Sequence, residues 1–243
     1  MTRHDRLIEV RRATTQDATQ VTAVLVAAFV NGDLGPWLVP NKRDRRRMYQ
    51  PYFGMLVRHA LEHGWVHITS DGKAVAVSYL RGGGQVIPEI PEYDRRLSRI
   101  FGGYAEGFRA LDAAIEAHHP DDVEQCYVQF LAVNPDVQRR GRGSLLLDDL
   151  HEYADRLGLP CYLESTGAGP TALYDRHGYR PRPSFRIAAG GPELFPMWRP
   201  EVDAGVRGTS VSAARVPARA LSQWVEHPPA KSCSTHGRGP RQP

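Results

Sequence analysis

The feature that most constrains this 243-residue chain is a junction in its second half. A β-rich run over residues 126–133 ends at Pro135. Gln138-Arg139-Arg140-Gly141-Arg142-Gly143-Ser144 follows, and then the helical run Leu145-Leu146-Leu147-Asp148-Asp149-Leu150. A strand that enters a helix through a glycine turn leaves the first helical N–H groups unpaired and pointing outward. The helix dipole adds partial positive charge there, and glycine lets an anionic ligand approach the backbone. Arg139, Arg140 and Arg142 add charge that a multiply phosphorylated ligand can use. The spacing is neither G-x-x-x-x-G-K-[ST] nor a G-x-G-x-x-G opening an early βαβ unit, so the two commonest nucleotide loops are excluded.

The formal charge of +4 invites a nucleic-acid reading, but its location argues against one. Residues 203–243 hold five Arg and one Lys against Asp203 and Glu226, which is the whole excess, so residues 1–202 are neutral. We expect one main domain over 1–202 with a single substantial core, and a flexible basic tail over 203–243 too poor in large apolar residues to offset its ordering entropy. No run approaches the roughly 18 apolar residues of a membrane span, and no apolar signal core follows the first residues. A cytoplasmic protein without nucleic-acid or membrane partners is expected. Cys126, Cys161 and Cys233 are far apart, the first two in β-rich runs, which points to small buried hydrophobes; neither a disulfide framework nor a metal site is indicated.

Hydrophobic spacing predicts a strand at 8–13, and a helix capped by Thr14 to Asp17 with Val21, Val24, Leu25 and Ala28 on one face. A second helix is expected over 44–63, with Pro51 kinking it or marking its start. Runs at 65–69 and 74–80 flank an Asp71-Gly72 turn and predict a hairpin. Residues 81–91 read as loop and 93–118 as one helical segment stopped by His118-His119-Pro120. After the 126–133 strand come a helix over 142–157, a strand over 160–165, a short helix over 170–177, and strands at 185–188 and 194–198.

The spacing Gln138-x-x-Gly141-x-Gly143, preceded by Val133-x-Pro135, resembles the acetyl-CoA motif of the GNAT superfamily. Tyr162-Leu163-Glu164-Ser165-Thr166 and then Leu173-Tyr174-Asp175-Arg176-His177-Gly178-Tyr179 resemble the family's later strand and its aromatic segment, in family order. The resemblance implies an α/β fold of the mixed α+β type, with a central, mostly antiparallel sheet flanked by helices and a disordered C-terminal tail. It also implies acetyl-CoA as cosubstrate, held by Leu131, Ala132 and Val133 on the central strand and by Gln138, Arg139, Arg140, Gly141, Arg142, Gly143 and Ser144 in the turn. Backbone N–H groups near Leu131 to Val133 would hold the acyl carbonyl.

By the same resemblance Tyr174 is placed beside the thioester sulfur. A tyrosine with a pKa near 10 keeps its proton at pH 7 and can give it to a thiolate; the alternative is an amphipathic core residue. Glu164 is a candidate base for the attacking amine, or else a satisfied polar residue of the strand. Many relatives carry Asn four residues before the tyrosine, whereas this chain has Pro170, so that contact is absent or replaced.

Residues 8–200 look like the puromycin N-acetyltransferase branch, through Ile8-Glu-Val-Arg-Arg-Ala-Thr, Leu163-Glu-Ser-Thr and Met197-Trp-Arg-Pro besides the motifs above. That implies a small-molecule amine acceptor, such as an antibiotic or other secondary metabolite. A monomer or homodimer is expected. Phe29, Trp37, Tyr49, Tyr52, Phe53, Phe185 and Phe195 are candidates for an aromatic acceptor pocket or for core. A CoA-binding regulatory module without transfer activity, and a protein acetyltransferase, stay open. His59 and His63 share the i, i+4 spacing of a metal pair but lack a third ligand, and the basic run 42–47 lacks interleaved aromatics, so both read as ordinary helix surface.

Overall fold

The computed structural model describes residues 8–167 and 171–202. The basic tail, Cys233 and Pro170 lie outside the described residues. A mixed sheet runs in the order β1 (Val10–Arg12), β2 (Trp65–Thr69), β3 (Ala74–Arg81), β4 (Gln125–Val133), β5 (Cys161–Ser165), β8 (Glu193–Arg199), β6 (Arg180–Pro181), with β7 (Phe185–Arg186) also paired to β8. All neighbours are antiparallel except β4 and β5.

Both faces of the central strands are buried, and alternation sorts their side chains. Val75 and Val77 of β3 join a core with α1 (Ala18–Phe29), α3 (Lys42–His63), α4 (Tyr93–Phe101) and α5 (Ala105–His118), α2 (Gly35–Leu38) lying between the first two. Ala74 and Ala76 point the other way, toward Leu146, Leu147 and Leu150 of α6 (Arg142–Arg156) and Tyr174 of α7 (Thr171–Arg176). Small residues on that face let α6 lie close to the sheet. Cys126 and Cys161 are buried there as small hydrophobes, at paired positions of β4 and β5.

Two expectations need correction. Pro51 neither starts nor ends a helix: it lies inside α3, which begins where Asn41 accepts hydrogen bonds from the backbone of Arg43 and Asp44. That cap, ten residues upstream, defines the helix start. The segment 93–118 is two helices, because Gly102 adopts φ 54°, a conformation a helix interior does not allow, and a 3₁₀ turn intervenes. The short strand β6 and helix α2 carry too few residues for a periodic signal. No helix among the described residues is long and apolar enough to cross a membrane.

Candidate active site

The glycine turn forms at the end of β4. Gly141 caps α6 at φ 80°, and Arg139 shares the left-handed region at φ 57°. At Gly143 an added Cβ would sit 3.3 Å from Leu173 and 3.9 Å from Val133. The missing side chain therefore lets the start of α6 approach both the strand and α7, and a larger residue would have to push these neighbours aside. The Gln138 amide donates to the Val133 carbonyl at 3.2 Å, so this side chain ties the turn to the strand end.

The arginines divide. Arg139 and Arg140 are exposed. Arg142, expected to supply free charge, donates through Nε and Nη2 to Asp71 at 2.9 and 2.7 Å. Burial pushes the Asp71 carboxyl up, yet the guanidinium and the Thr69 hydroxyl hold it below the usual range. The guanidinium of Arg142 is thus committed to the hairpin turn, and its backbone N–H in the first turn of α6 is what it can offer an anion.

Strand β4 pairs with β3 along its length, but with β5 only at Cys126 and Tyr127. The register with β3 skips between Val77 and Ser78, which pair with Phe130 and Val128, so Gln129 is the bulged residue. Beyond Tyr127 the two parallel strands diverge. A cavity of about 210 Å³ opens into this gap, reaching Leu131 of β4, Glu164 and Ser165 of β5, and Tyr174 of α7.

The structure thus brings together Leu131, Glu164 and Tyr174, which come from three separate elements. Ala132 does not line the cavity and packs in the core between β3, α1 and α3. Tyr174 is 8% exposed, and burial pushes its hydroxyl up to about 12. Glu164 has a side chain only 5% exposed, with Oε1 buried and without a hydrogen bond.

Of the seven candidate pocket aromatics, Phe29, Tyr49, Tyr52 and Phe53 line the cavity, and Trp37, Phe185 and Phe195 do not. Trp37 and Phe185 pack together with α5 in a separate small core. The rings that do line it pack on one another, Tyr52 lying 5.2 Å from Phe53 and 5.1 Å from Phe108.

Two groups escaped the sequence reading. Asp112 of α5 faces this aromatic wall and accepts a hydrogen bond from the Tyr93 hydroxyl at 3.0 Å. Burial pushes its carboxyl up to about 6, with the hydrogen bond acting the other way. No cation pairs with it among the described residues. A signal did exist: Asp112 interrupts a helical stripe of Phe108, Leu111 and Ile115, where an apolar residue would be ordinary. The second is His119, read only as part of a helix stop, whose fully buried ring stands behind Glu164. His59, set aside as a metal ligand, has its ring nitrogens against the Tyr79 hydroxyl at 3.0 Å and the Pro88 carbonyl at 2.8 Å.

Residues 99–181 match the model of the acetyltransferase (GNAT) domain, a segment that contains β4, the glycine turn, α6, Glu164 and Tyr174. Among solved structures, one described as histone acetyltransferase HPA2 and related acetyltransferase from Corynebacterium glutamicum is similar, at 25% identity and a TM-score of 0.61 over 80% of this chain and 97% of that one. Arylalkylamine N-acetyltransferase 2 from Aedes aegypti shares the fold at 15% identity and a TM-score of 0.55, over 80% of this chain and 99% of that one. Polyamine N-acetyltransferase from Drosophila melanogaster does so at 18% and 0.50, over 79% and 98%. The mixed sheet flanked by helices is therefore the fold of GNAT acetyltransferases, and the segment matching the family model spans residues 99–181.

Proposed function

We propose that this protein is an acetyl-CoA-dependent N-acetyltransferase that acts on a primary amine of a small molecule. The observation that carries the reading is the shared cavity: Tyr174 and Glu164 meet there, on the gap between β4 and β5, and the glycine turn follows the end of β4. The glycine turn and the first N–H groups of α6 fit a pyrophosphate, with exposed Arg139 and Arg140 in the same turn. Bound acetyl-CoA supplies the acyl group and a thiol as leaving group.

The protein's own residues then divide the work. The free edge of β4 near Leu131 offers backbone N–H groups to a carbonyl oxygen. Glu164 takes a proton from the acceptor's ammonium, which must become a neutral amine before it can attack. Tyr174 keeps its proton at neutral pH and donates a hydrogen bond toward the departing sulfur. Burial disfavours the charged form of a tyrosine and of a neighbouring thiol alike, so the raised hydroxyl of Tyr174 is matched by a raised thiol in the same site.

The aromatic wall and Asp112 favour an acceptor with an apolar or aromatic body and a cationic end. This supports a small amine over a protein substrate, in keeping with the puromycin N-acetyltransferase resemblance and an antibiotic or other secondary metabolite as acceptor. Incubation with acetyl-CoA and a panel of primary amines, following free thiol, tests the reading. Thiol release that depends on the acceptor supports it; CoA binding without such release would instead make the protein a binding module.

A further inference from the structure

Five buried polar atoms without a well-formed hydrogen bond gather where β4 and β5 part: Oε1 of Glu164, Nδ1 of His119, the Tyr162 hydroxyl, and Oε1 of Gln125 and Gln129; the Tyr127 and Tyr162 hydroxyls also approach the Glu164 carboxylate. Orphaned polar atoms are costly in a core, and a cluster of them beside a reaction pocket calls for a functional account. At its centre Nδ1 of His119 lies 3.7 Å from Oε1 of Glu164. The ring is gripped edge-on by Tyr127 and Tyr162, with centroids 4.7 and 4.8 Å away. His119 therefore cannot swing out, and a small closing movement would turn this approach into a hydrogen bond.

The direction of that bond follows from the other side of the ring. Gln125, fully buried, donates an amide N–H to the Pro120 carbonyl, which identifies its nitrogen. The same nitrogen stands 3.5 Å from Nε2 of His119. Having only donors to offer, it requires Nε2 to be the acceptor, so the neutral ring carries its proton on Nδ1, facing Glu164.

We propose that His119 is the positioning residue of Glu164, held by Gln125 in the Nδ1–H tautomer so that it donates to the carboxylate and orients it toward the acceptor amine. This rests on the role given to Glu164 above. The proton balance is simple: one proton passes from the acceptor's ammonium to the Glu164 carboxylate, leaving a neutral amine and a carboxylic acid. The acid returns its proton to solvent once product has left, and His119 keeps its own throughout.

Two measurements on the full chain test this. In ligand-free protein with ¹⁵N-labelled histidine, two-bond ¹H–¹⁵N correlations should show His119 as the Nδ1–H tautomer; an Nε2–H tautomer would overturn the proposal. With acetyl-CoA and phenethylamine, His119→Phe should lower kcat roughly tenfold or more while KM for acetyl-CoA holds. His119→Asn, whose amide N–H falls where Nδ1–H was, should recover most of the loss. Equal losses in the two variants would reduce His119 to packing. Glu164→Gln separates the two claims: full kcat in that variant removes Glu164 as base, whereas the tautomer still reports whether His119 is set as described.

Discussion

The two ends of the site are made of different material. At the α6 end the proposed cofactor site is backbone: Gly141 at φ 80°, Gly143 without a side chain, and the first N–H groups of one helix, all within a few consecutive residues. At the end proposed for the acceptor it is side chains brought from distant positions, with Asp112 from α5, Glu164 from β5 and Tyr174 from α7. A backbone site tolerates any residue that leaves the chain path intact and fails when bulk intrudes. A side-chain site fails group by group, each loss touching a different property.

Tyr174→Phe should break the contrast most sharply. It removes a buried hydroxyl with little change in shape, so kcat should fall roughly 10²-fold or more while acetyl-CoA affinity by calorimetry stays put. An unchanged kcat would make Tyr174 a packing residue. Gly143→Val should do the reverse. Overpacking against Leu173 and Val133 should weaken acetyl-CoA binding by about 1–3 kcal/mol, and undiminished binding would move the cofactor site elsewhere.

Asp112→Asn should sharpen the comparison in a third way, through pH. Burial raises the Asp112 carboxyl from 3.8 to about 6, so the folded protein holds that proton more tightly than the unfolded chain does. Stability from this group therefore falls as pH rises across that window, and the penalty is complete above it. The Asn variant should be more stable near pH 7.5 by on the order of 2 kcal/mol, an advantage that fades below about pH 4. Its KM for a cationic amine should rise over the same change. A Tm difference that ignores pH would mean Asp112 is not the strained group it looks to be. The smallest effect belongs to the arginines: Arg140→Ala should weaken acetyl-CoA binding by about 1 kcal/mol or less, most visibly at low salt. Arg142→Ala should leave the salt dependence of binding unchanged, because its guanidinium is already paired with Asp71.

Much of the fold was legible because its signals are local. Hairpin β2–β3 follows from two β-rich runs around Asp71-Gly72, and the β4–α6 junction from a strand, a glycine turn and a helical stripe in one stretch. The division of residues 93–118 was missed because its helical stripe continues on both sides of Gly102, so periodicity alone does not mark the break. The aromatic positions show the boundary of such reasoning. Phe29 and Phe185 carry equal apolar surface, yet one lines the cavity and the other packs against His118 at 4.0 Å.

By itself, then, the sequence determined the longer elements and the glycine turn between β4 and α6, since both depend on backbone conformation and on neighbours a few residues apart. Only the tertiary structure decided that β4 and β5 part after Tyr127, that Arg142 is held by Asp71 across 71 positions of chain, and that His119 and Asp112 stand at the cavity. Which charges are neutralised and which buried groups are left without partners is a property of packing between distant segments, and no local spacing encodes it.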